Sequence, residues 1–120
     1  MVREIKYRAR VLNSKKWIYR QPFHIRGTWY MYNSLWDIVP IQHKTLGQYT
    51  GLKDKNGVEI YEGDIFYAPG NIAGEEFIGV VEWDSESARF ITRGYPYLTN
   101  EDCFVKGNIY ENPELLEVAE

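Results

Sequence analysis

Long apolar runs, paired cysteines and a sustained helical period are all missing from this 120-residue chain. No apolar stretch approaches the ~20 residues that a membrane-crossing helix needs. The opening Met-Val-Arg-Glu-Ile-Lys carries no apolar signal core. A lone cysteine, Cys103, cannot close a disulfide within the chain, so the expected setting is a reducing cytoplasm, away from any membrane. His24 and His43 stand 19 positions apart, and neither Cys-x-x-Cys nor His-Glu-x-x-His occurs, so no zinc-type spacing is present. Glycine is not scarce, but Gly51, Gly57 and Gly63 recur within a strand–turn–strand stretch. No helix follows them to aim its amides at a phosphate. From these absences we expect no catalytic set, no cofactor, no metal and no small-molecule substrate.

What is present is aromatic and charged. Ten Tyr, five Phe and four Trp make up 16% of the chain, and hydrophobic residues reach 44%. That composition excludes a disordered chain and favours strands, whose pleated surface accepts flat rings. The length fits one domain with a real core. Net charge is −3, yet residues 1 to 30 carry eight basic groups against the single acid Glu4. The remaining 90 residues hold six basic groups and sixteen acids, a balance of −10. Such asymmetry points to a charged partner, within or outside the molecule.

Periodicity then places the elements. In "REIKYRARVL", residues 3 to 12, Ile5, Tyr7, Ala9 and Val11 share one face while Lys6, Arg8 and Arg10 share the other. This predicts a half-buried strand with a basic outer face, continued through an "NSKK" turn into a second strand at "WIYR". Residues 27 to 39 are aromatic-rich and predict a further strand of ambiguous register. In "TGLKDKNGVEIYEGDIF", residues 50 to 66, Asn56-Gly57 predicts a type I′ hairpin turn, because both central residues tolerate positive φ. Val58, Ile60 and Phe66 are expected to point inward. Gly63 marks a bend where a Cβ would intrude, and Asp64 is placed to bond nearby amides. "FIGVVEWD" and "ARFITRG" predict a hairpin across Ser85-Glu86-Ser87, and "CFVKGNIY" the last strand. Asn112 as N-cap and Pro113 in the first turn predict one or two helical turns in "ENPELLEV".

Three groups of side chains invite a chemical reading. Glu59, Glu62, Asp64 and Glu82 supply carboxylates, but Glu59 and Glu62 would point to opposite faces of one strand, so a solvated edge with a turn-fastening Asp64 is expected. Cys103, beside Phe104 in an apolar strand, reads as a buried thiol. The basic group is the better interface. Lys6, Arg8 and Arg10 repeat at about 6.6–7 Å along a strand, close to phosphate spacing. Lys15, Lys16 and Arg20 add charge, and Trp29 and Tyr30 add ring surface.

The blocks "QYTGLKDKNGVEIYEGDIF", "GVVEW" and "VKGNIYENPELL", with the opening "REIKYRARV", resemble the YopX family of small phage and prophage proteins across nearly the whole chain. The resemblance implies an SH3-like β-barrel core and a phage origin; it implies no activity. The expectation is therefore a mostly β domain with a basic, aromatic-rich hairpin region over residues 1–44, an SH3-like barrel over 45–118 and a short C-terminal helical turn. We expect a non-enzymatic accessory protein that binds another macromolecule, a protein partner or a second copy of itself. The alternative is a nucleic-acid-binding barrel that uses the basic N-terminal hairpin.

Overall fold

The computed structural model describes residues 5–68, 77–92 and 103–117, with backbone only at Glu117. The chain divides into two compact units, Met1–Tyr49 and Thr50–Glu120. It is mostly β, with eleven described strands and one short helix. Among the described residues no helix is long and apolar enough to cross a membrane.

The charge division follows the fold. Residues 1–49 hold nine basic groups against two acids, a balance of +7, and residues 50–120 hold five against fifteen, a balance of −10.

In the first unit, strands β1 (Tyr7–Arg10) and β2 (Trp17–Ile18) form the expected hairpin, pairing Ala9 with Ile18 and Arg10 with Trp17. Its turn is closed by Val11 N–H to Lys16 O at 2.9 Å, and Asn13 takes the left-handed φ of 58° that asparagine tolerates. The first residues of β6 (Gly47–Lys53) pair along the other side of β1. A three-stranded antiparallel sheet follows, β3 (Phe23–Ile25), β4 (Thr28–Tyr32) and β5 (Ile38–Pro40) in that order. Ala9, Ile18, Met31 and Ile41 form the core, with Tyr7, Val11, Trp29, Val39 and Leu46 against them. Met31 is wholly buried, so truncating it to alanine costs about 2–5 kcal/mol. Between β5 and β6, a 3-10 turn (His43–Thr45) buries Thr45, whose Oγ1 accepts Arg10 N–H at 2.9 Å.

In the second unit, the last residues of β6 form a hairpin with β7 (Glu59–Tyr61). A four-stranded sheet runs in the order β10 (Arg89–Thr92), β9 (Phe77–Asp84), β8 (Asp64–Ala68), β11 (Phe104–Asn108). Ile60, Phe66, Val81 and Cys103 form its core, so the thiol is buried as expected. The β9–β10 hairpin and the final strand also stand where the pattern placed them.

Four expectations need correction. The Asn56-Gly57 turn is not type I′, because Gly57 has φ 82° while Asn56 is not among the positive-φ residues. Gly57 N–H bonds Asp54 O at 3.0 Å and Asp54 N–H bonds Val58 O at 2.8 Å, the pattern of a three-residue loop with a left-handed glycine at its end. The cause is Asp54, whose Oδ1 accepts the amides of Asn56 (2.8 Å) and Val58 (2.9 Å) and holds the loop in that form. Val58, expected inside, is 48% exposed, whereas Ile60 and Phe66 are buried. Glu59 and Glu62 do not share a strand, since Gly63 (φ 88°) ends the turn between β7 and β8, which belong to different sheets. Asn112 Oδ1 accepts the Asn108 amide at 3.3 Å, fastening the end of β11, and among the described residues no side-chain cap onto α1 (Glu114–Glu117) is seen.

Candidate functional site

The basic strand does not present an open comb. Arg8 is only 7% exposed, and its guanidinium lies over the Trp17 ring at 4.9 Å. Arg10 pairs with Trp17 across the hairpin, which puts Arg8 diagonally over the same ring. Lys6 is half-buried with its Nζ over the Tyr49 ring at 5.3 Å, and Arg10 is also half-buried. Lys6 and Arg8 thus lay their charged ends over aromatic faces instead of projecting them side by side into solvent. Lys15, Lys16 and Arg20 are exposed, as are Arg26 and Lys44.

In the second unit, Asp64 is buried and its Oδ2 accepts the Tyr61 amide at 2.8 Å, the turn-fastening role expected of it. Glu59 Oε1 accepts the Tyr61 hydroxyl at 3.1 Å. Glu82 lies on β9, opposite Ile91. Among the described residues no three of His, Cys, Asp and Glu converge as metal ligands would. Gly63 is required where it stands, since a Cβ there would meet Tyr110 Cε2 at 3.0 Å in addition to the positive φ. Pro113 is exposed beside the first turn of α1. A buried carboxylate that the sequence reading missed completes this network. Asp54 is 6% exposed, and its Oδ2 accepts the Val105 amide at 2.9 Å, tying the β6–β7 loop to β11. Its signal was the Asp-x-Asn-Gly spacing, in which an Asx side chain reaches the amide two residues on.

The three-stranded sheet of the first unit holds what the sequence could not place. Pairing sets Phe23 opposite Tyr30, Ile25 opposite Thr28 and Ile38 opposite Tyr32. Trp29, Met31 and Val39 take the inner face and pack in the core. Strand alternation therefore puts Phe23, Ile25, Tyr30, Tyr32 and Ile38 together on the outer face. Phe23 contacts both Tyr30 (5.9 Å, stacked) and Tyr32 (5.2 Å). Ile25, Tyr32 and Ile38 are 48%, 49% and 42% exposed. An outer sheet face this apolar is uncommon in a soluble protein. On the inner side, Trp29 lies between both histidines: His43 stacks parallel at 5.3 Å and His24 tilts at 5.1 Å. Distance in sequence concealed that convergence.

At the end of this face, the β4–β5 turn carries the most exposed large apolar side chains of the described residues. Leu35 is 79% exposed and Trp36 is 91% exposed. The turn is built, not loose. Asn33 N–H bonds Asp37 O at 2.7 Å, Asn33 Nδ2 bonds Asp37 Oδ2 at 3.2 Å, and Lys16 Nζ bonds Asn33 Oδ1 at 3.1 Å. Asn33 and Asp37 thus supply the polar turn chemistry, leaving two central positions for Leu and Trp. At the opposite end, the β3–β4 turn has Arg26 at φ 47° and Gly27 at φ 88°. Both central residues are left-handed, so this is a type I′ turn, with arginine where asparagine or glycine is favoured.

Comparison with known proteins agrees with the fold. The family model described as YopX protein matches residues 6–117. A solved structure, protein EF1440 from Enterococcus faecalis, superposes with a TM-score of 0.65 at 26% sequence identity, covering 94% of this chain and 98% of that one. No curated protein matches significantly.

Proposed function

The chain belongs to the YopX family, and we propose that it acts without catalysis, by binding a protein partner through the outer face of the β3–β4–β5 sheet and the Leu35–Trp36 turn. One observation carries the reading: a hydrogen-bonded turn holds Leu35 and Trp36 almost fully in solvent, at the end of an apolar sheet face. Burying an apolar side chain of this size contributes about 1.5–3 kcal/mol. Tryptophan and tyrosine are typical interface anchors, and a turn already fixed by hydrogen bonds leaves less backbone freedom to be lost on docking. The family resemblance supports a phage or prophage accessory role in the cytoplasm of a bacterial host, and we read the second unit as an SH3-like barrel.

The nucleic-acid alternative is less favoured by the same geometry. The strand meant to meet phosphates has its central arginine buried on Trp17, so it offers no continuous row of exposed cations.

A benzophenone amino acid in place of Trp36, irradiated in bacterial lysate, tests the proposal against the same group placed at Glu86 in the β9–β10 turn. Protein adducts specific to position 36 are expected. Identical adducts from both positions would refute the assignment, and nuclease-sensitive adducts would replace it with the alternative.

A further inference from the structure

The proposed face has a charge pattern that selects its partner. This inference rests on the binding role assigned above. Among the described residues of the first unit, eight side chains are basic and only Asp37 is acidic. Asp37 is engaged with Asn33 inside the turn. Two exposed cations sit at the two ends of the apolar face. Lys16 is anchored on Asn33 beneath the Leu35–Trp36 tip, and Arg26 stands in the β3–β4 turn at the opposite end.

Arg26 is the more telling of the two. Its φ of 47° is strained for a residue with a Cβ, and a type I′ turn is best served by Asn-Gly. Such outliers persist where the side chain is needed for something other than folding. Arginine is also the cation best suited to interface carboxylates, through its planar fork. A cation at each end of an apolar strip disfavours pairing of this face with the same face of a second copy, since like charges would meet.

We propose that the face binds an acidic polypeptide segment, one whose carboxylates meet Arg26 and Lys16 while its apolar side chains cover Ile25, Tyr32, Ile38, Leu35 and Trp36. Opposed charge at the rim sets orientation and excludes basic partners, and the apolar strip supplies most of the affinity.

A displayed library of random peptides, selected on the immobilised full chain, tests this. Each round is depleted against the Leu35→Ala/Trp36→Ala chain, whose solvent-exposed truncations leave the fold intact. Enriched peptides are expected to combine net negative charge with aromatic or aliphatic residues. The Lys16→Glu/Arg26→Glu chain should select net positive peptides from the same library. Arg26→Asn, which suits the turn better, should raise the thermal midpoint and still weaken the selected acidic peptides by roughly tenfold. Better folding with poorer binding excludes damage as the cause.

Enrichment that depends on Leu35 and Trp36 but shows no charge bias would overturn the acidic-partner inference and leave the binding face standing. Absence of any enrichment dependent on those two residues would overturn both. Displacement of the peptides by a single-stranded oligonucleotide at low salt, lost as salt rises, would assign the face to nucleic acid instead.

Discussion

Replacing Asp54 by alanine removes a side chain that both closes the β6–β7 loop and fastens it to β11. Three amides lose their acceptor: Asn56 at 2.8 Å, Val58 at 2.9 Å and Val105 at 2.9 Å. A hydrogen bond to a charged acceptor is worth about 1.5–3 kcal/mol, but the three losses are not equal. Asn56 and Val58 are exposed, so water can satisfy their amides at reduced cost. The Val105 amide belongs to a half-buried strand next to buried Cys103, where rehydration is poor. We expect a total of about 3–5 kcal/mol, a large part of the ~5–15 kcal/mol that holds a domain together. Asp54→Asn keeps an acceptor for the loop but turns an NH2 group toward an amide donor, and should cost about half as much. By contrast Asn56→Ala, at an exposed position without a left-handed backbone, should change stability by under ~0.5 kcal/mol. Gly57→Ala should cost about 1–2 kcal/mol, all of it backbone strain, because the space around Gly57 is open. Urea unfolding followed by circular dichroism gives the midpoints, and hydrogen exchange at the Val105 amide reports the local release. An Asn56→Ala midpoint as low as that of Asp54→Ala would refute the reasoning, because the Asn-Gly pair would then be closing the loop.

Gly63→Ala should be worse than Gly57→Ala by about 1 kcal/mol, since it adds a 3.0 Å contact with Tyr110 to the same strain; equal urea midpoints would refute the contact. Arg8→Ala should destabilise the first unit by about 1–2 kcal/mol through lost packing on Trp17, whereas Arg20→Ala should be nearly silent. In the β9–β10 turn, the Ser87 hydroxyl above all, with lesser help from the Glu86 and Ser87 amides and the Arg89 charge, holds the half-buried Asp84 carboxyl below the usual value against the opposing effect of desolvation. A depressed folded value means this turn is favoured above the ordinary carboxylate range and loses that support as pH falls through the folded value. In Ser87→Ala, the Asp84 carboxyl resonance should titrate at higher pH than in the parent; unchanged titration would refute the hydroxyl as main cause.

Strands with one wet face were legible from alternation alone. Tyr7, Ala9 and Val11 alternate with charged residues, and β1 stands there with Ala9 and Val11 turned to the core. The same pattern misjudged what covers the other face, because it cannot see that Trp17 lies diagonally across the hairpin from Arg8. Turn chemistry was legible where one residue sets it, as at Gly63 and Asp64. It failed at Asn56-Gly57, where a carboxylate two residues earlier overrides the dipeptide preference. The meeting of His24 and His43 on Trp29 depends on pairing between distant strands, to which spacing along the chain is blind.

Residues 27 to 39 resisted a register assignment for a reason that bears on function. Register is written into a strand when one face is apolar and the other polar. In β4, Trp29 and Met31 face the core, yet Tyr30 and Tyr32 on the other face are also aromatic. Either register would bury a plausible core, so the sequence pattern has no preferred solution. Core packing resolves it by taking Met31 to full burial, and that choice leaves Tyr32 and Ile38 in solvent beside Leu35 and Trp36. A sheet that only had to fold would gain solubility and a unique register from polar residues at those outer positions, at no loss to the core. The conflict between local pattern and solubility is of the kind that functional sites retain. The stretch least readable as structure is therefore the one most informative about binding, and polar replacement of Tyr32 and Ile38 should leave the core untouched while removing the surface on which the proposed partner docks.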